Sequence, residues 1–511
     1  MRNMKLNATA ASITLALSGV ANAALPVQTE VFMSGASAPS NMLRENVVQF
    51  ACDQTAPINV YVDFIDQAPG NGDVSLAEPI VEHRSFWVVQ CTANSSMGSA
   101  AGNTIAFYKS DVGGSGNGTT PVLNRVPLEF MDANPTNCTL SVSGQAHGNG
   151  GTYNLYECLQ DDLVQQIPDM GASDIEASKF VGPLAPASGD FINDGTVDEK
   201  VGPGLIFGPI VTLSLRNELQ TDQINAGLLP PGCVAGDETE ACMPSLPSTV
   251  VRGITSGKYN NWSDISVYGQ TVNVPGSFTD PKANNVHLCR RVKGSGTHAE
   301  YMIHYHRTNC YAKAQSILTQ PGNGAGFFGV GPLVYENSSS GTLGSCLDAL
   351  DTGTGLTSSK ITPDIAAGVQ SFGFGYQSTE KNIALAKNFR YVKVDGVAPT
   401  LENAIKGDYR QVYYMGFQNR NSGYNTGPLR ASIDATKTQA IKDIFTNATN
   451  IDSSIVDVLN AGFVHSWGAA GFLVPDATAA SVFTVGDPRT PWTRESATGG
   501  ADSCQPLFKK L

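Results

Sequence analysis

The segment Arg290-Arg291-Val292-Lys293-Gly294-Ser295-Gly296-Thr297-His298 stands where an apolar run, Val286 to Val292, gives way to a helical pattern carried by Ala299, Met302 and Ile303. Glycines there let the backbone turn its N–H groups outward, a helix start adds partial positive charge, Ser295 and Thr297 add hydroxyl donors, and an arginine grips a tetrahedral oxyanion with two parallel bonds. The pattern predicts an oxyanion seat. A surface turn with a Ser/Thr cap is the plainer reading of any one glycine-serine string. Three more polar turns recur along the chain: Ser34-Gly35-Ala36-Ser37, Gly113-Gly114-Ser115-Gly116-Asn117-Gly118 and Asp169-Met170-Gly171-Ala172-Ser173-Asp174.

Other chemistries find weaker support. Gly253 to Tyr259 imitates a nucleotide loop but is one residue short and lacks a hydroxyl after Lys258. No Gly-x-Ser-x-Gly elbow surrounds Ser115 or Ser295, which disfavours serine hydrolysis. His298, His304 and His306 cluster after the anion turn, and solvated or capping roles suit them better than metal ligation. Asp190 to Val201 is spaced loosely like a calcium loop, yet Ile192 and Val201 occupy positions that should supply oxygen, so an acidic loop is expected. No metal site and no cofactor is predicted.

These turns need strands and helices to hold them. Leu43, Val47, Phe50 and Ala51 share a helical face behind the Ser34 turn, with Pro39 tolerated in a first turn. Leu205-Ile206-Phe207 and Ile210 to Leu215 read as one buried strand flanked by Gly202, Gly204 and Gly208. Strand, glycine turn and helix recur, which predicts an α/β fold with mostly parallel sheets. Three polar, Gly/Pro-rich stretches of weak periodicity read as insertions: Thr119 to Gln166, Ala187 to Pro203 and Ala226 to Ser248.

The 511-residue chain is 41% hydrophobic and 15% charged, which excludes a disordered or collagen-like chain. Its formal charge of -13 gives no footprint for nucleic acid or anionic lipid. Arg2 and Lys5, the weakly apolar Ala10 to Val20 and the triplet Ala21-Asn22-Ala23 predict a secretory signal over residues 1–23, and no membrane span follows it. The ten cysteines, even in number in an exported chain, favour disulfides over zinc, with Cys138/Cys158 and Cys233/Cys242 as candidate staples.

The ordered blocks Ser34 to Pro39, Gly114 to Gly118, Asp169 to Asp174, Val251 to Asp264, Arg291 to Thr297, Gly373 to Tyr376 and Val394 to Thr400 resemble the phosphate-binding proteins of ABC phosphate importers. These form a branch of the type II periplasmic binding proteins. The resemblance spans about residues 30 to 425. It implies a two-lobed α/β fold with hinge crossovers and disulfide-stapled insertions. Lobe I would comprise 24–211 and 386–511, and lobe II 212–385.

It also implies anion contacts from Ala38, Ser40, Ser115, Asp174, Arg291, Ser295, Gly296 and Thr297, phosphate as ligand, and an ABC permease as partner in the periplasm or outside the cell. Asp174 fits independently: phosphate near neutral pH keeps a proton that a carboxylate accepts, while sulfate has none to give. An unpaired buried charge costs about 3 kcal/mol or more. The chain departs from the family at Pro39, which removes a hydroxyl and a backbone N–H, and at Lys293, which makes the pocket rim more basic. Rival readings are a secreted adhesin on the same scaffold and, third, a phosphatase-like enzyme.

Overall fold

The computed structural model describes residues 27–510 apart from 65–84, 135–136, 148–149, 160–161, 279, 311–331, 358, 360, 362–363, 426, 431–432 and 496–499. The predicted signal lies outside the described residues. The architecture is α/β, built on one continuous 15-stranded sheet. Strand Thr29–Gly35 lies at the centre of its first half and pairs in parallel with Thr104–Ser110 on one side and Met170–Ser173 on the other. Val31, Phe32 and Met33 are wholly buried, as an interior strand covered on both faces requires. All three strands deliver their C-terminal ends to the glycine turns.

The long strand Val197–Thr212 belongs to both halves of the sheet. Through Ile206 it pairs antiparallel with Val412–Arg420, which in turn pairs with Met170–Ser173. From Phe207 onward it pairs with Gly373–Ser378 and Phe389–Tyr391. Beyond Gly373–Ser378 the second half continues through His287–Arg291 to Leu333–Asn337, all parallel. The molecule thus has two lobes, with the change of partner at Ile206/Phe207.

Several sequence expectations are corrected. The buried strand stops at Thr212, and Leu213–Asn225 is helix, because Leu215 and Leu219 recur at helical spacing on the buried side. Val197 to Pro203 is strand rather than insertion. Thr119 to Gln166 builds sheet: Thr152–Leu159 pairs with Asn59–Phe64 and with the hairpin partner Cys138–Ala146, extending the first lobe's edge. The sheet is mixed rather than mostly parallel, since the Phe86–Thr92, Cys138–Ala146 and Val412–Arg420 pairings are antiparallel. Phe50 is 36% exposed, because the helix Ser40–Asn46 widens into a π turn at Val47–Ala51 and rotates that side chain off the buried face.

Five disulfides join all ten cysteines: Cys52–Cys91, Cys138–Cys158, Cys233–Cys242, Cys289–Cys346 and Cys310–Cys504. Both staples expected from sequence form.

At the entrance to Met170–Ser173, Asp169 is buried and pairs with Arg430, which donates to both carboxylate oxygens and to the Glu30 carbonyl. Asp169 also accepts from the Phe32 amide at 3.0 Å, and the guanidinium sits over the Phe32 ring. This pair fixes the strand that carries Asp174 against its neighbour. Arg430→Ala strands a buried carboxylate and is expected to cost about 3 kcal/mol or more in urea-induced unfolding. A loss below about 1 kcal/mol would mean that the pair does not hold the strand.

Candidate functional site

Three glycine contacts aim the site. Gly35 has φ +116°, and a Cβ there would overlap the Ala172 carbonyl and Gly118. A Cβ on Gly118 would overlap Ala172, and one on Gly171 would overlap Gly118. Only backbone without side chains lets the three turns approach this closely. The packing brings the Ser115 turn onto Asp174: the Ser115 hydroxyl donates to Asp174 Oδ2 at 2.9 Å, and the Asp174 amide donates back to Ser115 Oγ at 3.1 Å.

The second lobe meets this pair with the start of helix Gly296–His306. Strand His287–Arg291 ends at Arg291, Gly294 turns the chain with φ +80°, and Ser295 is the N-cap. Across the lobes the Gly116 amide donates to the Gly294 carbonyl at 2.6 Å. A Cβ on Gly296 would overlap both Asp174 Oδ2 and Ser115 Oγ, so the helix N-terminus sits directly on the carboxylate. Arg291 Nη2 would lie 3.5 Å from a Cβ on Gly114. The guanidinium donates to the Asn337 and Ser338 carbonyls and to Ser340 Oγ, which uses three of its five N–H groups and fixes its plane.

Ser115, Asp174, Arg291 and Gly296 are therefore assembled into one cluster, with Ser295 and Thr297 buried on either side of Gly296. Ala38 and Ser40 have other surroundings. Ala38 packs against the hydrophobic core, and the Ser40 hydroxyl donates to Asp111 at 2.8 Å while accepting from Trp87 Nε1 at 2.9 Å. Pro39 caps the helix behind them without contributing an N–H.

Sequence reasoning missed the charges around the cluster. Lys109 is fully buried, donates to the Gly35, Ala36 and Ser110 carbonyls and is paired with Asp111. Its one sequence signal is a lysine interrupting the apolar run Ile105 to Tyr108 just before the Gly113 turn. Glu300, on the site helix, is wholly buried, and among the described residues neither of its oxygens has a hydrogen-bond partner. Glu380, just beyond Gly373–Ser378, accepts from Ser378 Oγ at 2.8 Å, and its Oε2 has no hydrogen-bond partner among the described residues.

Burial pushes Asp174 up to about 6, against the pull of the Ser115 hydrogen bond and Arg291; Glu380 adds to the rise and Lys109 opposes it. Burial, then the charges of Asp174 and Glu380, raise Glu300 well above the usual carboxylate range. Burial holds Arg291 down to about 10, against the attraction of Asp174. Among the described residues Asp174 Oδ1 has no hydrogen-bond partner, so the cluster holds a buried carboxyl group with one oxygen unspent. A proton-bearing oxyanion suits that carboxyl, because the pair can share one proton.

The three histidines are not solvated as expected. His298 is buried with Nδ1 bonded to Tyr301 at 2.8 Å, His304 meets Tyr413 at 3.0 Å, and His306 meets Thr255 at 2.9 Å. Helix Gly296–His306 is buried apart from His304, so His298 and His306 are kept from water and His304 is only half-buried. Among the described residues no group of three or more His, Cys, Asp or Glu side chains is arranged to hold a metal ion, and no described helix is long and apolar enough to cross a membrane.

No known family model matches the sequence, and no curated protein matches it. The chain is similar in structure to phosphate ABC transporter substrate-binding proteins. A putative one with bound phosphate from Clostridium perfringens matches at 10% identity and a TM-score of 0.38, covering 86% of this chain and 99% of that one. PstS from Borrelia burgdorferi matches at 11% identity and a TM-score of 0.30, covering 87% and 99%. The phosphate-binding protein from Stenotrophomonas maltophilia matches at 13% identity and a TM-score of 0.26, covering 50% and 65%.

The Asp174 value has a consequence for stability. Its folded pKa lies above the unfolded value of 3.8, so between about pH 4 and 6 the folded chain binds a proton that the unfolded chain does not. Stability at this group is gained as pH falls through that window and lost as pH rises. Asp174→Asn removes the dependence: relative to the wild type, the variant should be about 3 kcal/mol better placed at pH 7 than at pH 4 in urea unfolding. A pH-independent difference would mean that Asp174 titrates normally.

Proposed function

We propose that this chain binds inorganic phosphate, or a closely similar protonated oxyanion, between its two lobes as a binding protein rather than an enzyme. The observation that carries the reading is the convergence of Ser115 and Asp174 from the first lobe with Arg291 and the Ser295–Thr297 helix start from the second. Helix N–H groups and the two uncommitted guanidinium N–H groups supply donors, and Asp174 accepts the anion's proton. Ser115 would turn from Asp174 to the anion, which then takes the place of that direct bond. The ligand bridges the lobes and so favours the closed state. Such a receptor would hand its anion to a membrane permease, the partner that the motif resemblance implies.

A second reading draws on the same contacts. The Gly116–Gly294 hydrogen bond and the seating of Gly296 on Asp174 close the lobes with the protein's own groups, as suits an interaction protein on this scaffold. Isothermal titration with phosphate separates the two. For the binder, saturable binding at micromolar to millimolar phosphate is expected, strengthening from pH 7 to pH 5 as the shared proton is supplied. Arg291→Ala should weaken it at least about a hundredfold, and Asp174→Asn should narrow the gap between phosphate and sulfate. No saturable heat at either pH would favour the interaction protein.

A further inference from the structure

Helix Gly296–His306 meets the first lobe at its start and its middle, and the turn after it meets that lobe again. Its N-terminus sits on Ser115 and Asp174, and its middle reaches Tyr413 of strand Val412–Arg420 through His304. Just past its C-terminus, Asn309 donates to the Lys179 and Val181 carbonyls, each at 2.9 Å. Those polar contacts can exchange for water if the lobes part. The next residue cannot, because Cys310 is bonded to Cys504.

Cys504 lies in a C-terminal tail held by the first lobe. The Ser503 amide and hydroxyl both donate to Glu176, two residues beyond Asp174, and Asp502 pairs with Lys179 at 3.2 Å. Upstream in the tail, Arg494 donates to the Val412 and Arg410 carbonyls and lies over the Tyr413 ring. The disulfide therefore runs from the end of the site helix in one lobe to a tail anchored beside the Asp174 segment of the other. Cys289–Cys346 staples the second lobe to itself, and Cys52–Cys91 and Cys138–Cys158 do the same for the first.

We propose that the Cys310–Cys504 disulfide is a covalent latch that holds the two lobes closed over the Ser115–Asp174–Arg291 seat, so that ligand exchange is gated by a bond rather than by free hinge motion. Its regulatory meaning rests on the oxyanion reading; its mechanical action on the lobes does not. Cys310 and Cys504 are both partly exposed, whereas the other eight cysteines are buried, so this bond is the one an external thiol reaches first. When a small dithiol acts on it, a thiolate attacks one sulfur and forms a mixed disulfide, expelling the other cysteine as thiolate. The reagent's second thiolate then displaces the remaining cysteine. Two electrons pass to the protein, and the reagent leaves as its own disulfide.

Hydrogen exchange read by mass spectrometry on the ligand-free full chain tests the latch. In Cys310→Ser/Cys504→Ser, peptides covering Asp169–Asp174 and Gly296–Ala299 should lose at least about tenfold in protection, while the central strands keep theirs. Cys233→Ser/Cys242→Ser, which opens a staple far from the lobe contact in sequence, should leave both peptides unchanged. Unaltered protection in the latch variant overturns the proposal. Uniform loss over both lobes also overturns it, since the bond would then hold the fold and not the lobe contact. Brief treatment of the wild type with dithiothreitol, with the reduced pair identified by alkylation, repeats the comparison without substitution and must give the same local loss. A final arm adds inorganic phosphate. If neither protein binds it while only the latch variant opens, the oxyanion reading fails and the latch stands. If both bind it with equal exchange rates and equal protection, the latch fails and the oxyanion reading stands.

Discussion

Helix Gly296–His306 is buried along nearly its whole length, and the rest of the architecture follows from keeping it dry. All of its residues except His304 are buried, including two histidines and a glutamate that has no hydrogen-bond partner among the described residues. One end presents free backbone N–H groups and the positive pole of the helix to a carboxyl group from the opposite lobe. Parting the lobes would hydrate the polar contacts that the helix makes across them, at Gly296 on Asp174 and at His304 on Tyr413.

That constraint explains why charge in the molecule is organised as it is. The surface is acidic overall, so long-range attraction does not recruit an anion. On the proposed reading, affinity would come from fixed donors in a dry space, where each counts for more than it would in water. Arg291 is held flat by two carbonyls and a serine of its own lobe, and Lys109 is held by three carbonyls beneath the first turn. Against these two cations stand Asp174, Glu300 and Glu380. Burial raises both Asp174 and Glu300, so under the proposed reading the site would favour a guest that still carries hydrogen over a fully ionised one.

Much of the cluster around Asp174 was legible in the sequence, because its parts are local patterns: a strand end, a glycine turn and a hydroxyl at a helix start. Ser115, Asp174, Arg291, Ser295, Gly296 and Thr297 could be named without coordinates. Ser40 could not be placed so, since its bonds to Asp111 and Trp87 come from residues 47 to 71 positions away. The same limit hid the sheet inside Thr119 to Gln166, whose strand Thr152–Leu159 is stabilised by pairing with Asn59–Phe64 rather than by its own periodicity. Cys138–Cys158 and Cys233–Cys242 span 20 and 9 residues and bracket single hairpins or loops, so spacing suggests them. Cys310–Cys504 spans 194 residues and depends wholly on how the tail returns.

The central claim is that the lobes meet around a guest and not merely around each other, and a crystal structure of the protein grown in inorganic phosphate tests it most directly. The account predicts tetrahedral density between Asp174 and the amides of Ser295 to Thr297, with Ser115 and Arg291 donating to it. Ser115 still bonded to Asp174 with Gly296 seated on the carboxylate, and phosphate absent from that place at saturating concentration, would contradict it.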